Sequence, residues 1–171
     1  MKRAHELGGL VGYDINYRNL MWHDDKQACA DKVKEILPYV DLLKISDEEV
    51  DMVGGHDNVL ALMKEYNIAV VILTLGKDGA ECFFNGDSFV TPGYKADYVA
   101  DTTGAGDAFW GGCLSRVLNR GADSVDKFTV DILKDAVNYG NVSGSLAVRE
   151  KGAIASLPTK EQIEKFLQEN K

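Results

Sequence analysis

Residues 101–112 read DTTGAGDAFWGG. Polar residues give way to glycine and alanine, a single carboxylate follows at Asp107, and an apolar helical pattern then runs to about Asn119. Bare positions at Gly104, Ala105 and Gly106 let backbone N–H groups approach a ligand without obstruction. The start of a helix adds its unpaired amides and the positive end of its dipole. Together these make an anion cradle suited to phosphate. An acid is a poor neighbour for phosphate unless it has a task. Asp107 in that place can take a proton from a hydroxyl as its oxygen attacks phosphorus, help worth about 10²–10⁴-fold in rate. The bland alternative is a tight strand-to-helix turn in which Asp107 only favours the helix dipole.

Outward from that turn the chain alternates strands with helices. LVGYDI (Leu10 to Ile15) and VDLLKI (Val40 to Ile45) read as buried strands, and AVVILTL from Ala69 is the continuous apolar run that parallel sheets bury on both faces. Asp24 to Leu37 has helical spacing and stops before Pro38, SDEEVDMV opens like a helix, and Asn58 to Tyr66 is a further helix. AECFF and SFVTP flank Asn85-Gly86-Asp87, a hairpin signal because Asn-Gly supplies positive φ angles. A long helix is expected from about Phe128 to Val148, and a last one from Thr159, where Thr159 and Gln162 have capping-box spacing. The pattern predicts an α/β layer with a mostly parallel sheet, and residues 1–171 read as a single domain.

Bulk composition narrows the function classes. Hydrophobic residues make up 45% of the chain and charged residues 27%, the balance of a globular protein. A formal net charge of −8 argues against nucleic acid as a partner, while leaving room for a small anion held locally. The longest apolar stretch, IAVVILTL, is far short of the roughly 20 residues of a membrane helix. Cys29, Cys82 and Cys113 are widely spaced and read as reduced structural thiols of a cytoplasmic protein. The three histidines have no metal-ligand spacing, so no zinc site is expected.

DTTGAGDAFWGG resembles the C-terminal signature of the PfkB-type sugar kinases, the ribokinase superfamily. The resemblance implies a ribokinase-like doubly wound α/β fold and ATP-dependent phosphorylation of a sugar hydroxyl. It implies Asp107 as catalytic base and Gly104, Ala105, Gly106 and Asp107 as the anion hole. Asp101 and Thr103 match the part of the pattern that often helps hold a monovalent cation, usually potassium. VILTLGKDGA (Val71 to Ala80) is similar to the family's nucleotide-contacting strand and loop, implicating Thr74, Gly76 and Gly79. Such a strand end is also where α/β sheets place ligands. Asn141, on the final long helix, falls where the superfamily often places a residue near the adenine, and Gly152, Ala153 and Ser156 follow along the turn bordering the cation site. The small residues of that helix, Gly140, Ser143, Gly144 and Ala147, can equally serve close packing.

LLKISDEEV resembles the segment where the family usually carries Asn-x-x-Glu, tied to magnesium and phosphate positioning. Here Ser46 stands in the Asn position and Glu49 is kept; Ser-x-x-Glu is also capping-box spacing. Magnesium would be held largely by ATP phosphates and water. GYDINYRNLMW (Gly12 to Trp22) resembles the D-x-N-x-R…LW stretch of fructokinases and 2-keto-3-deoxygluconate kinases. Asp14, Asn16 and Arg18 are two apart, so an extended chain directs them to one side, where they suit a polyol or sugar acid. The reading favours fructose. A 2-keto-3-deoxygluconate kinase, a kinase for a nucleoside or hydroxymethylpyrimidine, and a non-catalytic nucleotide-binding module are the rivals. The resemblance covers nearly the whole chain but only the C-terminal half of a typical member; the N-terminal sugar-binding signature and β-sheet lid, through which many relatives dimerise, are not visible. The chain is accordingly expected to be part of a longer product, with a homodimer an option open to the full-length protein; dimerisation through the lid is unavailable to this chain, which is expected to be poorly active alone.

Overall fold

The computed structural model describes residues 1–170. Along the chain run helix α1 (Lys2–Glu6), strand β1 (Gly12–Asp14), helices α2 (Asn19–Trp22) and α3 (Lys26–Ile36), strand β2 (Leu42–Ser46) and helix α4 (Val59–Tyr66). Strands β3 (Val70–Thr74), β4 (Gly79–Phe84) and β5 (Asp87–Pro92) follow, then helices α5 (Ala105–Asn119), α6 (Val130–Ala147) and α7 (Lys160–Glu169). The fold is α/β, with five strands in the order β1-β2-β3-β4-β5. β1 pairs with β2, and β2 with β3, in parallel register. Asn85 and Gly86 join β4 to β5 with φ of +52° and +81°, the angles of a type I′ turn. Among the described residues no helix is long and apolar enough to cross a membrane.

The residues gather into two compact units. The first holds residues 1–74, 81–89 and 123–127. Its centre is β2 and β3, where Leu42, Leu43, Ile45, Val70, Val71 and Ile72 are all fully buried. Helix α3 starts at Asp25, whose carboxylate accepts the Ala28 N–H at 2.8 Å, and buries Cys29, Ala30 and Val33. Burial pushes the Cys82 thiol on β4 up to about 12, which leaves it unreactive at neutral pH.

One expected helix is absent. SDEEVDMV makes a turn and then a short 3-10 turn, Val50–Val53. The Glu49 carboxylate bonds back to the Ser46 N–H at 2.9 Å and across to the Tyr17 N–H at 2.6 Å, and Gly54 and Gly55, with φ of +99° and +87°, end the turn. Only half of the capping box forms, and the glycines cut the helix off before it can propagate. β1 is also shorter than LVGYDI predicts, because Asn16 takes a left-handed φ of +50° and leaves the sheet direction.

The second unit holds residues 75–80, 90–122 and those from Phe128 onward. Small residues let α5 and α6 approach closely. A Cβ on Gly140 would stand 2.9 Å from the Phe109 carbonyl oxygen, and one on Gly112 would stand 2.8 Å from the Ser143 Cβ. The Ser143 hydroxyl donates to the Ala108 carbonyl at 2.8 Å. The close-packing reading of these residues therefore holds. Arg116 on α5 bonds Asp135 of α6 at 2.9 Å and Glu164 of α7 at 3.2 Å, and lies over the Tyr139 ring. Helix α7 carries the expected capping box between Thr159 and Gln162.

Candidate functional site

In the second unit α5 opens on a glycine-rich turn. Gly104 takes a left-handed φ of +82°, and its missing Cβ would stand 2.9 Å from the Ala153 Cα. The main chain thus runs against the turn after α6 at a distance no other residue permits. Ala105 turns its N–H back to the Thr102 carbonyl at 3.2 Å, and the Gly104 carbonyl accepts the Ala108 N–H at 2.8 Å. The N–H groups of Gly104, Gly106 and Asp107 have no acceptor among the described residues. The turn thus offers three open amides, while the Ala105 N–H is engaged by the Thr102 carbonyl. Asp107 is exposed, in the first turn of α5, with no hydrogen bond or ion pair among the described residues. A carboxylate in that position is stabilised by the helix dipole and open to a ligand.

Asp101 ties the turn together. One carboxylate oxygen accepts the Thr103 N–H at 2.9 Å and the other accepts the Gly152 N–H at 3.2 Å. The Thr103 backbone N–H, its hydroxyl and the Gly152 N–H hold the Asp101 carboxyl below its usual range, so it stays ionised. The carbonyl of Val148 accepts the N–H groups of Ala100 and Asp101, at 2.8 and 3.3 Å. The structure therefore brings Asp101, Thr103 and the turn at Gly152 and Ala153 together. The Asp101 carboxylate and the Thr103 hydroxyl are hard oxygen donors, the ligand type that suits a hard cation.

Gly76 and Gly79 bracket a short 3-10 turn, with φ of +57° and +105°. A side chain at Gly79 would fall onto the Thr91 carbonyl and the Gly93 nitrogen, so this glycine is required by close backbone approach. Asn141 is buried, and its amide nitrogen donates to the carbonyls of Thr91 and Pro92, both at 3.1 Å. It clamps the end of β5.

The first unit carries the other candidates on its sheet. The register sets Asp14 beside Lys44 and Ser46 beside Thr74. Partners in parallel register share a face, and Lys44 and Ser46 are two apart. Asp14, Lys44, Ser46 and Thr74 thus make a polar stripe at the carboxyl ends of three strands otherwise rich in aliphatic side chains. The Lys44 ammonium stands 3.0 Å from both oxygens of Asp14, and the Thr74 hydroxyl donates to the Ile45 carbonyl at 3.4 Å. Asn16 and Arg18 are exposed on the loop after β1, where the left-handed Asn16 replaces the extended chain assumed from their spacing. Arg18 donates only to the Tyr17 carbonyl, at 3.3 Å, among the described residues. Glu49 is 6% exposed, with one oxygen on the Tyr17 N–H and the other on the Ser46 N–H. Sequence reasoning passed over Lys44. Its signal was there: a lone charge inside the apolar run LLKI.

Residues 1–160 match the model of the pfkB family carbohydrate kinases. The chain is 31% identical over 172 residues to Fructokinase-1 of Oryza sativa subsp. japonica, covering 98% of this chain and 52% of that protein. It is 33% identical over 174 residues to a fructokinase of Vibrio alginolyticus, covering 98% and 53%. Among solved structures, a double mutant of the fructokinase of Vibrio cholerae O395, with fructose, ADP and potassium ion bound, superposes with a TM-score of 0.83 at 32% identity. That match covers 97% of this chain and 53% of the other. The chain therefore spans about half the length of the relatives it matches. From the family model, these relatives and the shared fold, the chain belongs to the pfkB family of carbohydrate kinases.

Proposed function

We propose that the protein transfers the terminal phosphoryl group of ATP to a hydroxyl of fructose. The Asp107 carboxylate accepts the hydroxyl proton as the hydroxyl oxygen bonds to the γ-phosphorus. The bond from that phosphorus to the bridging oxygen breaks, and ADP leaves with the electron pair. The N–H groups of Gly104, Gly106 and Asp107 donate to the phosphoryl oxygens, where negative charge concentrates in the transition state. Thr74, Gly76 and Gly79 contact the nucleotide. Asn141 acts at one remove, holding the end of β5 through its two bonds to carbonyls. Asp14, Asn16 and Arg18 bind the sugar.

Magnesium, when bound, neutralises charge on the phosphates. It would be carried largely on ATP phosphates and water, which this ion prefers to a cage of protein ligands. Glu49, with both oxygens already on backbone N–H groups, would meet it only through water. Asp101 and Thr103 would hold the monovalent cation. The observation that carries the reading is Asp107, exposed and without a partner among the described residues, on the same helical turn as the three open amides. Asp107→Asn keeps shape and loses basicity. In the full-length protein its kcat should fall about 10²–10⁴-fold while ATP affinity stays within a few-fold. Turnover within threefold of the parent would remove Asp107 from the base role.

A further inference from the structure

The buried lysine of β2 has no part in the chemistry above. Lys44 lies opposite Asp14 in the register, with its side chain 6% exposed and that of Asp14 13% exposed. Taking two charges out of water costs about as much as their attraction returns, so an apolar pair would serve stability equally well. What the ion pair adds is geometry. With the ammonium at 3.0 Å from each oxygen, the orientation of the Asp14 carboxylate is fixed.

Asp14 is the last residue of β1, and the loop through Ile15, Asn16, Tyr17 and Arg18 leaves the sheet from it. Lys44 holds this departure twice. Its side chain grips Asp14, and its backbone carbonyl accepts the Ile15 N–H at 3.3 Å. Glu49 then takes the Tyr17 N–H at 2.6 Å, further along the same loop.

We propose that Lys44 is a positioning residue for the sugar. It orients the Asp14 carboxylate as an acceptor for sugar hydroxyls and sets where the loop carrying Asn16 and Arg18 begins. The proposal rests on the sugar-kinase reading, and its test separates the two. Lys44→Met removes the ammonium at similar length. Lys44→Arg restores a charge able to bind both oxygens of Asp14. Amide hydrogen exchange at residues 15–18 and the KM values for fructose and ATP are measured on each.

In Lys44→Met the loop amides should exchange about tenfold faster and the fructose KM should rise about tenfold, with the ATP KM within twofold. Lys44→Arg should recover most of both. If Lys44→Met does not fold, Lys44→Gln takes its place, with the same expectation. Unchanged loop exchange, or faster exchange with an unchanged fructose KM, overturns the proposal. A full-length product that phosphorylates no sugar overturns the sugar-kinase reading instead, and loop exchange alone then decides whether Lys44 holds the loop.

Discussion

Two glycines of the second unit separate backbone strain from close approach. Gly104 has φ of +82°, with the backbone of Ala153 where a Cβ would stand; Gly121, just beyond α5, has φ of +76° and open space around the same position. An alanine at Gly121 meets only the left-handed penalty, about 1 kcal/mol. An alanine at Gly104 meets that penalty and must also push the turn at Ala153 aside, for a total of about 2–4 kcal/mol. Displacing that turn disturbs the Gly152 N–H bond to Asp101 and the direction of the open amides. Denaturant unfolding of Gly104→Ala and Gly121→Ala should therefore differ by at least about 1 kcal/mol, and only Gly104→Ala should lose turnover. Equal losses in the two would mean that Ala153 yields freely and the close approach has no energetic weight.

At the scale of elements, segments whose pattern is local were legible in the sequence. The runs VVILT and LLKIS gave β3 and β2 because both faces are buried, Asn85-Gly86 gave the hairpin, and Thr159 with Gln162 gave the start of α7. Elements decided by distant partners were not. The capping spacing at Ser46 and Glu49 reads as a helix start, yet Tyr17, some thirty positions away, claims one oxygen of Glu49. The bond of Ala105 back to Thr102 and the grip of Lys44 on Asp14 are likewise set by geometry that no periodicity contains. The same holds for the tie between the 3-10 turn His56–Asn58 and the hairpin. His56 Nε2 lies 2.7 Å from Glu81 on β4, and the Ser88 hydroxyl of β5 donates to the other Glu81 oxygen at 2.6 Å. The hydrogen bond to Glu81 raises the His56 pKa against a smaller opposing effect of burial. Burial opposes ionisation of Glu81, but the bonds from Ser88 and His56 outweigh it and lower its pKa. The His56 contribution to stability is fully present below its unfolded pKa, about 6.5, and is lost as pH rises through the higher folded value. The Glu81 contribution is present above its unfolded pKa and lost as pH falls through the lower folded one. Urea midpoints of the parent and His56→Ala should thus lie furthest apart on the acid side of neutrality and converge toward alkaline pH. A gap that does not change with pH would show that the tie carries no charge.

For the whole molecule, the proposed kinase reading turns on which alcohol would receive the phosphoryl group. A net charge of −8 gives no general attraction for ATP or for a sugar acid, so affinity for either must come from local groups such as the open amides and Arg18. On that reading, Arg18 is the residue that would discriminate between the two sugars its motif suits. Its guanidinium is exposed and bonded only to its neighbour's carbonyl among the described residues, leaving donors for a ligand. If those donors meet a carboxylate in a two-point contact, 2-keto-3-deoxygluconate gains a charge-assisted pair that fructose cannot offer. If they meet hydroxyls and Asp14, held by Lys44, binds the same sugar, Asp14 contributes matching acceptors, and a substrate carboxylate near it would meet like charge. The buried Asp14–Lys44 pair favours the second arrangement, because its ammonium is already satisfied by Asp14 and is not free to neutralise a substrate acid. Assays of ATP consumption with fructose, 2-keto-3-deoxygluconate and ribose should give a kcat/KM for fructose at least about tenfold above either rival, a difference of about 1.4 kcal/mol in transition-state binding. A preference for the keto acid would assign Arg18 to a carboxylate and require Asp14 to face away from the sugar. A preference for ribose would detach the D-x-N-x-R loop from substrate choice altogether.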